Sequence, residues 1–206
     1  AKIVIGIFIG AVTTGMAVSM IAAARAKKTV DLKEAFLRVW PRYISLFILA
    51  LILYASVHFI MKQPPLLLVK YFRSGPTKLL FLGPKFWFEI FLPVLNFFLA
   101  IFLQSLFVYA IPSIVLKGKK FFAAFFSGLI FFFKNFFRTL LIVTIPMILY
   151  IPVTMVRGNV PFVADKFGPE SVMAIILLGI IVGTVIVDAL VTAGTTVFFI
   201  EGTDEA

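Results

Sequence analysis

The chain has 206 residues, 62% of them hydrophobic and 14% charged, with a mean hydropathy of +1.13 and a formal net charge of +10. Soluble domains carry roughly 45 to 50% apolar and about 25% charged residues, so a water-soluble fold cannot hide this much apolar surface and the expected solvent is lipid. The positive charge does not mark a nucleic-acid binder, because Lys and Arg stand at the margins of apolar segments, where they set topology and meet anionic head groups.

The absence of cysteine excludes disulfides, thiolate metal sites and cysteine nucleophiles. The chain is apolar from Ile3 onward without a basic leader, as expected either of a chain whose signal peptide has been removed or of a segment that begins inside a longer protein, the second being the preferred expectation.

The first apolar segment, Ile3 to Ala24, is long enough to cross a hydrocarbon core about 30 Å thick. It carries Gly6, Gly10, Thr14 and Ala17 at steps of three or four, a stripe that lets helices approach closely in lipid. A basic cluster, Arg25-Ala26-Lys27-Lys28, ends it. Asp31 then provides an N-cap and Glu34 a capping-box partner for an amphipathic helix, with Leu32, Ala35, Phe36 and Val39 on one face and Glu34 and Arg38 on another. Pro41 predicts a kink into a second crossing, Tyr43 to Met61.

Pro64-Pro65, Gly75-Pro76 and Gly83-Pro84 make Lys62 to Lys85 read as irregular. A third crossing runs from Phe86 to about Leu116 and ends in a second basic cluster, Lys117-Gly118-Lys119-Lys120. Phe121 to Phe137 follows, with Lys120, Ser127, Lys134 and Arg138 forming a narrow polar strip, the pattern of a second interfacial helix. A fourth crossing spans Thr139 to Val156, Arg157 to Ser171 reads as a polar turn region, and a fifth crossing covers Val172 to Ile200 before an acidic tail.

The expected architecture is one all-α polytopic domain over 1–206, with five transmembrane helices and two interfacial amphipathic helices. Residues 3–61 and 86–156 form a weak internal repeat: Lys27-Lys28 matches Lys119-Lys120 at an offset of 92, and Ala35-Phe36 matches Ala124-Phe125 at 89. Of the 19 Lys and Arg, eleven fall between Arg25 and Arg42 or between Lys117 and Arg138. Positive-inside topology in a cell membrane then predicts the start of this chain outside and its end in the cytoplasm.

Val30 to Trp40 (VDLKEAFLRVW) and Tyr109 to Gly118 (YAIPSIVLKG) resemble stretches of the membrane domain found in some glycerophosphodiester phosphodiesterases and related uncharacterised prokaryotic polytopic proteins. The resemblance implies rounds of crossing, surface helix and crossing, with an opening surface helix and crossing before Ala1. On that expectation the chain is an incomplete six-helix repeat. The catalytic domain of the fused enzymes is separate, so no catalytic residue carries over.

Ionisable and polar residues inside membrane helices are the default functional candidates. Here they are Glu89, Asn96 and Gln104, which share one face at 100° per residue, and Asp188, which lies in the fifth crossing beside the GxxxG pair Gly179 and Gly183. Each also has a structural reading: Glu89 as an interfacial carboxylate near a helix start, Asn96 and Gln104 as interhelical hydrogen-bonding groups, and Asp188 as an interfacial residue if its helix ends early. Gly6, Gly10, Gly179 and Gly183 are the expected packing glycines. Lys27, Lys28, Lys119, Lys120, Lys134 and Arg138 are the expected contacts to anionic lipid. The lone His58 does not make a metal site, and no phosphate loop, HExxH or GxSxG motif is present.

No enzyme, cofactor or metal is therefore expected. The leading expectation is an accessory or scaffold subunit that packs against membrane-protein partners and lipid. The alternative is a small-solute or ion transporter or channel using Asp188 and the Glu89/Asn96/Gln104 face. A third reading is regulation at the membrane surface through the basic interfacial helices.

Overall fold

The structure is a computed structural model that describes residues 2–74, 86–149, 151–153 and 160–204, all of whose regular secondary structure is helical. Four helices are long and apolar enough to cross a membrane, or five if a bent pair counts as one span. With no water to receive backbone donors and acceptors, helices satisfy them within the segment.

Helix α1 (Lys2–Arg25) ends in a Schellman cap. The Lys27 amide donates to the Ala24 carbonyl and the Lys28 amide to the Ala23 carbonyl, with Lys27 in the left-handed region at φ 55°. Helix α5 (Ala110–Lys117) also ends on a left-handed residue, Gly118 at φ 66°, but in a wider cap, with the Gly118 amide on the Ile114 carbonyl and the Lys119 amide on the Ser113 carbonyl. Each basic cluster is thus also a helix stop.

The equivalent left-handed residues are Lys27 and Gly118, and the following N-caps are Asp31 and Lys120. The offset accordingly falls from 91 to 89, because the second loop is two residues shorter. A left-handed conformation costs a Cβ-bearing residue roughly 1 kcal/mol that glycine does not bear. Lys27→Gly is expected to raise stability by about 0.5–1 kcal/mol, read as a higher Tm in detergent; a lowered Tm would contradict the cap geometry.

Helix α2 (Leu32–Val39) is capped by Asp31, whose carboxylate accepts from the Leu32 amide at 2.7 Å. The expected capping box is not formed: Glu34 pairs forward with Arg38 at 2.7 Å, the favourable i,i+4 order. Nor does α2 form a separate surface helix. It continues through a 3₁₀ turn, Trp40–Arg42, into α3 (Tyr43–Ser74), so that Leu32–Leu67 is one helical run. Pro41 stands at the start of that turn, where its missing N–H does no harm.

A second correction concerns Pro64 and Pro65, which lie inside α3 and do not end it. Residues 75–85 of the expected irregular region lie outside the described residues.

A π-helical segment, Trp87–Phe91, opens the third crossing and passes into α4 (Leu92–Phe107) and α5. Helix α6 (Phe121–Lys134) meets α7 (Phe136–Ile148) at 96°. Asn135 makes the corner, and a buried relay holds it: the Tyr109 hydroxyl donates to Thr139 at 2.9 Å, and Thr139 donates to the Asn135 carbonyl at 2.9 Å. The surface-helix expectation agrees with this right angle. However, α6 buries Ala124, Gly128 and Phe132 against α5 and α4.

The expected turn region contains a helix, α8 (Val160–Phe167), stopped by Gly168 at φ 86°; residues 154–159 lie outside the described residues. Helix α9 (Pro169–Ile180), a π-helical segment Ile181–Val187 and α10 (Asp188–Asp204) complete the chain.

Two apolar cores result. One joins α1, α2, α3, α5 and α6 through Val18, Val39, Leu49, Ile114 and Ala124. The other joins α4, α5, α6, α7 and α10 through Ile101, Tyr109, Phe132, Val143 and Phe199. Both basic clusters and the end of α10 share one end of the bundle. Arg25 pairs with Glu201 at 2.8 Å, the Lys117 ammonium lies 5.3 Å from the Phe199 ring centre, and the Arg42 guanidinium donates to the Val115 carbonyl. Arg42 thereby places a cation at the negative end of α5 and ties the first helices to the second basic cluster.

Candidate functional site

A cavity of about 210 Å³ lies at the seam between the two cores. Leu46, Leu49 and Phe107 from the first core form part of its wall, Val108 and Val191 from the second another. Four polar side chains enter it: Thr14 from α1, Gln104 from α4, and Asp188 and Thr192 from α10. At ~30 Å³ per molecule it has room for on the order of seven waters, or for a small solute.

Three helices bring these groups to a common depth. Gln104 precedes Lys117 by 13 residues, Asp188 precedes Glu201 by 13, and Thr14 precedes Arg25 by 11. At 1.5 Å per residue each lies ~16 to 20 Å from the basic end, a little over half the ~30 Å thickness of a hydrocarbon core. The parallel arrangement of α1 and α10, fixed by the Arg25–Glu201 pair, sets two of the three.

Among the lining residues only Gly10 and Asp188 are exposed, so they mark the open side, between α1 and α10. Among the described residues no cationic side chain lies within 4 Å of Asp188. A carboxylate placed within a membrane needs a proton or a cation. Along the same face of α10, Thr195 donates to the Val191 carbonyl at 2.6 Å, while the fully buried hydroxyl of Thr196 has no partner among the described residues. A polar track thus continues from the cavity toward the basic end.

The expected site is only partly assembled. Gln104 and Asp188 meet at the cavity, but Glu89 and Asn96 do not line it. Glu89 sits exposed within the π-helical segment Trp87–Phe91, whose wider turn breaks the 100° phase on which the shared face depends. Asn96 is half-buried, with its Oδ1 atom unpartnered among the described residues. The second π-helical segment, Ile181–Val187, ends immediately before Asp188, and π turns recur at functional sites.

The packing glycines also differ from expectation. Nothing lies within 4 Å of where a Cβ would stand on Gly6 or Gly10. Gly10 instead keeps the cavity mouth open. Gly179 is buried in α9, but Gly183 falls within the π-helical segment, so their spacing does not give the single face that GxxxG has in an α-helix. Close approach is made by Gly15 against Val39 and by Gly128 against the backbone of Ala110.

Lys134 and Arg138 line a cleft at the basic end with Lys117, which was not among the expected lipid contacts; Lys27, Lys28, Lys119 and Lys120 lie outside it. His58 is exposed and stacks on Tyr54 at 6.0 Å. Among the described residues no three His, Asp or Glu side chains stand close enough to hold a metal ion. Thr192 was missed, although its position one turn after Asp188 was a readable signal. Comparison with family models, curated proteins and solved structures gives no match for this chain.

Proposed function

We propose that the protein is a membrane-embedded binding site and path for a small cation or a small protonated solute, centred on Asp188. The observation that carries this reading is the convergence of Thr14, Gln104, Asp188 and Thr192 on one cavity at mid-span. Its place part-way along the helices supports the reading, because transporters commonly bind substrates near the midplane. The role is binding and passage, with no bond-making. On the positive-inside rule, the end bearing both basic clusters faces the cytoplasm.

An accessory or scaffold role rests on exposed apolar faces such as that of α9, where Met173, Leu177 and Leu178 point outward. Lipid covers such a face as readily as a partner does, and a scaffold does not require four polar residues on the wall of one cavity.

The test is reconstitution of the purified chain into liposomes under a monovalent-cation or proton gradient, followed with an entrapped indicator. Flux above that of protein-free vesicles, lowered by Asp188→Asn, is the expected result. Flux equal to protein-free vesicles would contradict the proposal.

A further inference from the structure

At the end of the bundle that carries both basic clusters, a second cleft of about 450 Å³ opens between α5, α6, α7 and α10. Three cations from three helices face it: Lys117, Lys134 and Arg138. The single carboxylate on its wall among the described residues, Glu201, is paired with Arg25 at 2.8 Å. Among the described residues none of the three cations has a carboxylate within 4 Å. The ends of α5 and α6 provide only about half a negative charge each, which leaves the cleft positive.

The neutral polar groups on the wall are already engaged within the protein. Ser127 shares a hydrogen bond with Ser113 at 3.1 Å, the Asn135 amide donates to the Phe131 carbonyl at 3.2 Å, and Thr203 donates to the Ile200 carbonyl at 3.1 Å. The charged donors on the wall are the three cations. Phe131, Phe198 and Phe199 form an aromatic floor, and the Phe199 ring lies 5.3 Å from the Lys117 ammonium.

We propose that this cleft binds a phosphate group, with Lys117, Lys134 and Arg138 as its donors. Three cations on separate helices suit a tetrahedral oxyanion, and Arg138 can engage two of its oxygens at once. The aromatic floor suits the glycerol and upper acyl carbons of an anionic phospholipid better than it suits a free ion. The site is separate from the Asp188 cavity and does not depend on the role proposed for it.

The test compares the full chain in detergent with added phosphatidylglycerol, phosphatidylcholine or inorganic phosphate, reading both Tm and a binding titration. Phosphatidylglycerol is expected to raise Tm where phosphatidylcholine does not. The Lys134→Gln/Arg138→Gln pair should weaken that binding about tenfold or more, with helical content and Tm in phosphatidylcholine unchanged. Lys27→Gln/Lys28→Gln, at the same end but outside the cleft, should weaken it less than about threefold. Protection by phosphatidylglycerol alone identifies a lipid head group. Equal protection by millimolar inorganic phosphate, lost in the cleft variant, identifies a soluble phosphate source for the same site. Equal protection by phosphatidylcholine, or equal losses in the two double variants, would overturn the proposal.

Discussion

Replacing Gly128 with alanine is expected to destabilise the protein by about 2 kcal/mol, and with leucine by about 3 kcal/mol or more. Two effects oppose one another. Alanine is ~1 kcal/mol more favourable than glycine in a helix interior. Against this, a Cβ at Gly128 would lie 2.8 Å from the Ala110 nitrogen and 3.0 Å from the Tyr109 carbonyl carbon, both backbone atoms that no rotamer change can move. Relief requires α6 to lift from α5, and that would pull Phe132 out of the second core and strain the Tyr109–Thr139–Asn135 corner. Overpacking therefore wins. Gly6→Ala is the matched contrast: nothing lies within 4 Å of its Cβ position, so propensity acts alone and stability should rise by up to ~1 kcal/mol. Thermal unfolding of both variants in one detergent measures the pair, and a Gly128→Ala protein at least as stable as the parent would show that α6 does not sit against α5 as described.

Asp188→Asn should cut cation or proton flux at least tenfold while leaving Tm nearly unchanged. The amide has almost the shape of the carboxylate and keeps its hydrogen-bonding capacity, so packing around Val187 and Val191 is preserved. Only the charge is lost. A cation at mid-span faces a cost of several kcal/mol, and a single fixed carboxylate offsets enough of it to change occupancy by a factor of ten or more. Asp188→Glu restores the charge with a longer side chain and should recover part of the flux. Equal flux in Asp188→Asn and parent would remove Asp188 from the path.

Much of the helical layout was legible because lipid imposes one rule, roughly twenty apolar residues per span, that a sequence displays directly. The basic clusters, the right-angled turn near Asn135 and the long helix through Asp188 follow from that rule and from charge placement. The misreadings have local causes. Pro41 and Pro64-Pro65 read as breaks, whereas Pro41 stands at the start of a 3₁₀ turn, where no donor is needed, and Pro64-Pro65 are carried inside a helix that runs on to Ser74. Glu89 loses the shared face because π turns do not keep a phase of 100° per residue, whereas Asn96, in the same α-helix as Gln104, stands eight residues and about 80° from it.

The cavity was half legible. Asp188 and Gln104 stand out as polar groups within apolar segments, but their meeting depends on α1 and α10 lying parallel, a tertiary fact carried by Arg25 and Glu201 at residues 176 positions apart. Gly10 and Thr14 were read as packing residues because a small-residue stripe looks the same whether a helix or an opening faces it. Sequence spacing places residues on a helix face; it does not state what lies opposite.

The most direct test of the account is whether the cavity is wet and attracts cations. Because the chain has no cysteine, Thr192→Cys introduces a single thiol on the cavity wall and Leu177→Cys a single thiol on the exposed apolar face of α9. Each variant, in liposomes, is treated from the aqueous phase with a membrane-impermeant cationic methanethiosulfonate and with its anionic analogue. The account predicts modification of Thr192→Cys at least tenfold faster than of Leu177→Cys, with the cationic reagent ahead of the anionic one and that preference lost when Asp188→Asn is added. Thr192→Cys as inert as Leu177→Cys, or no preference between the reagents, would contradict it.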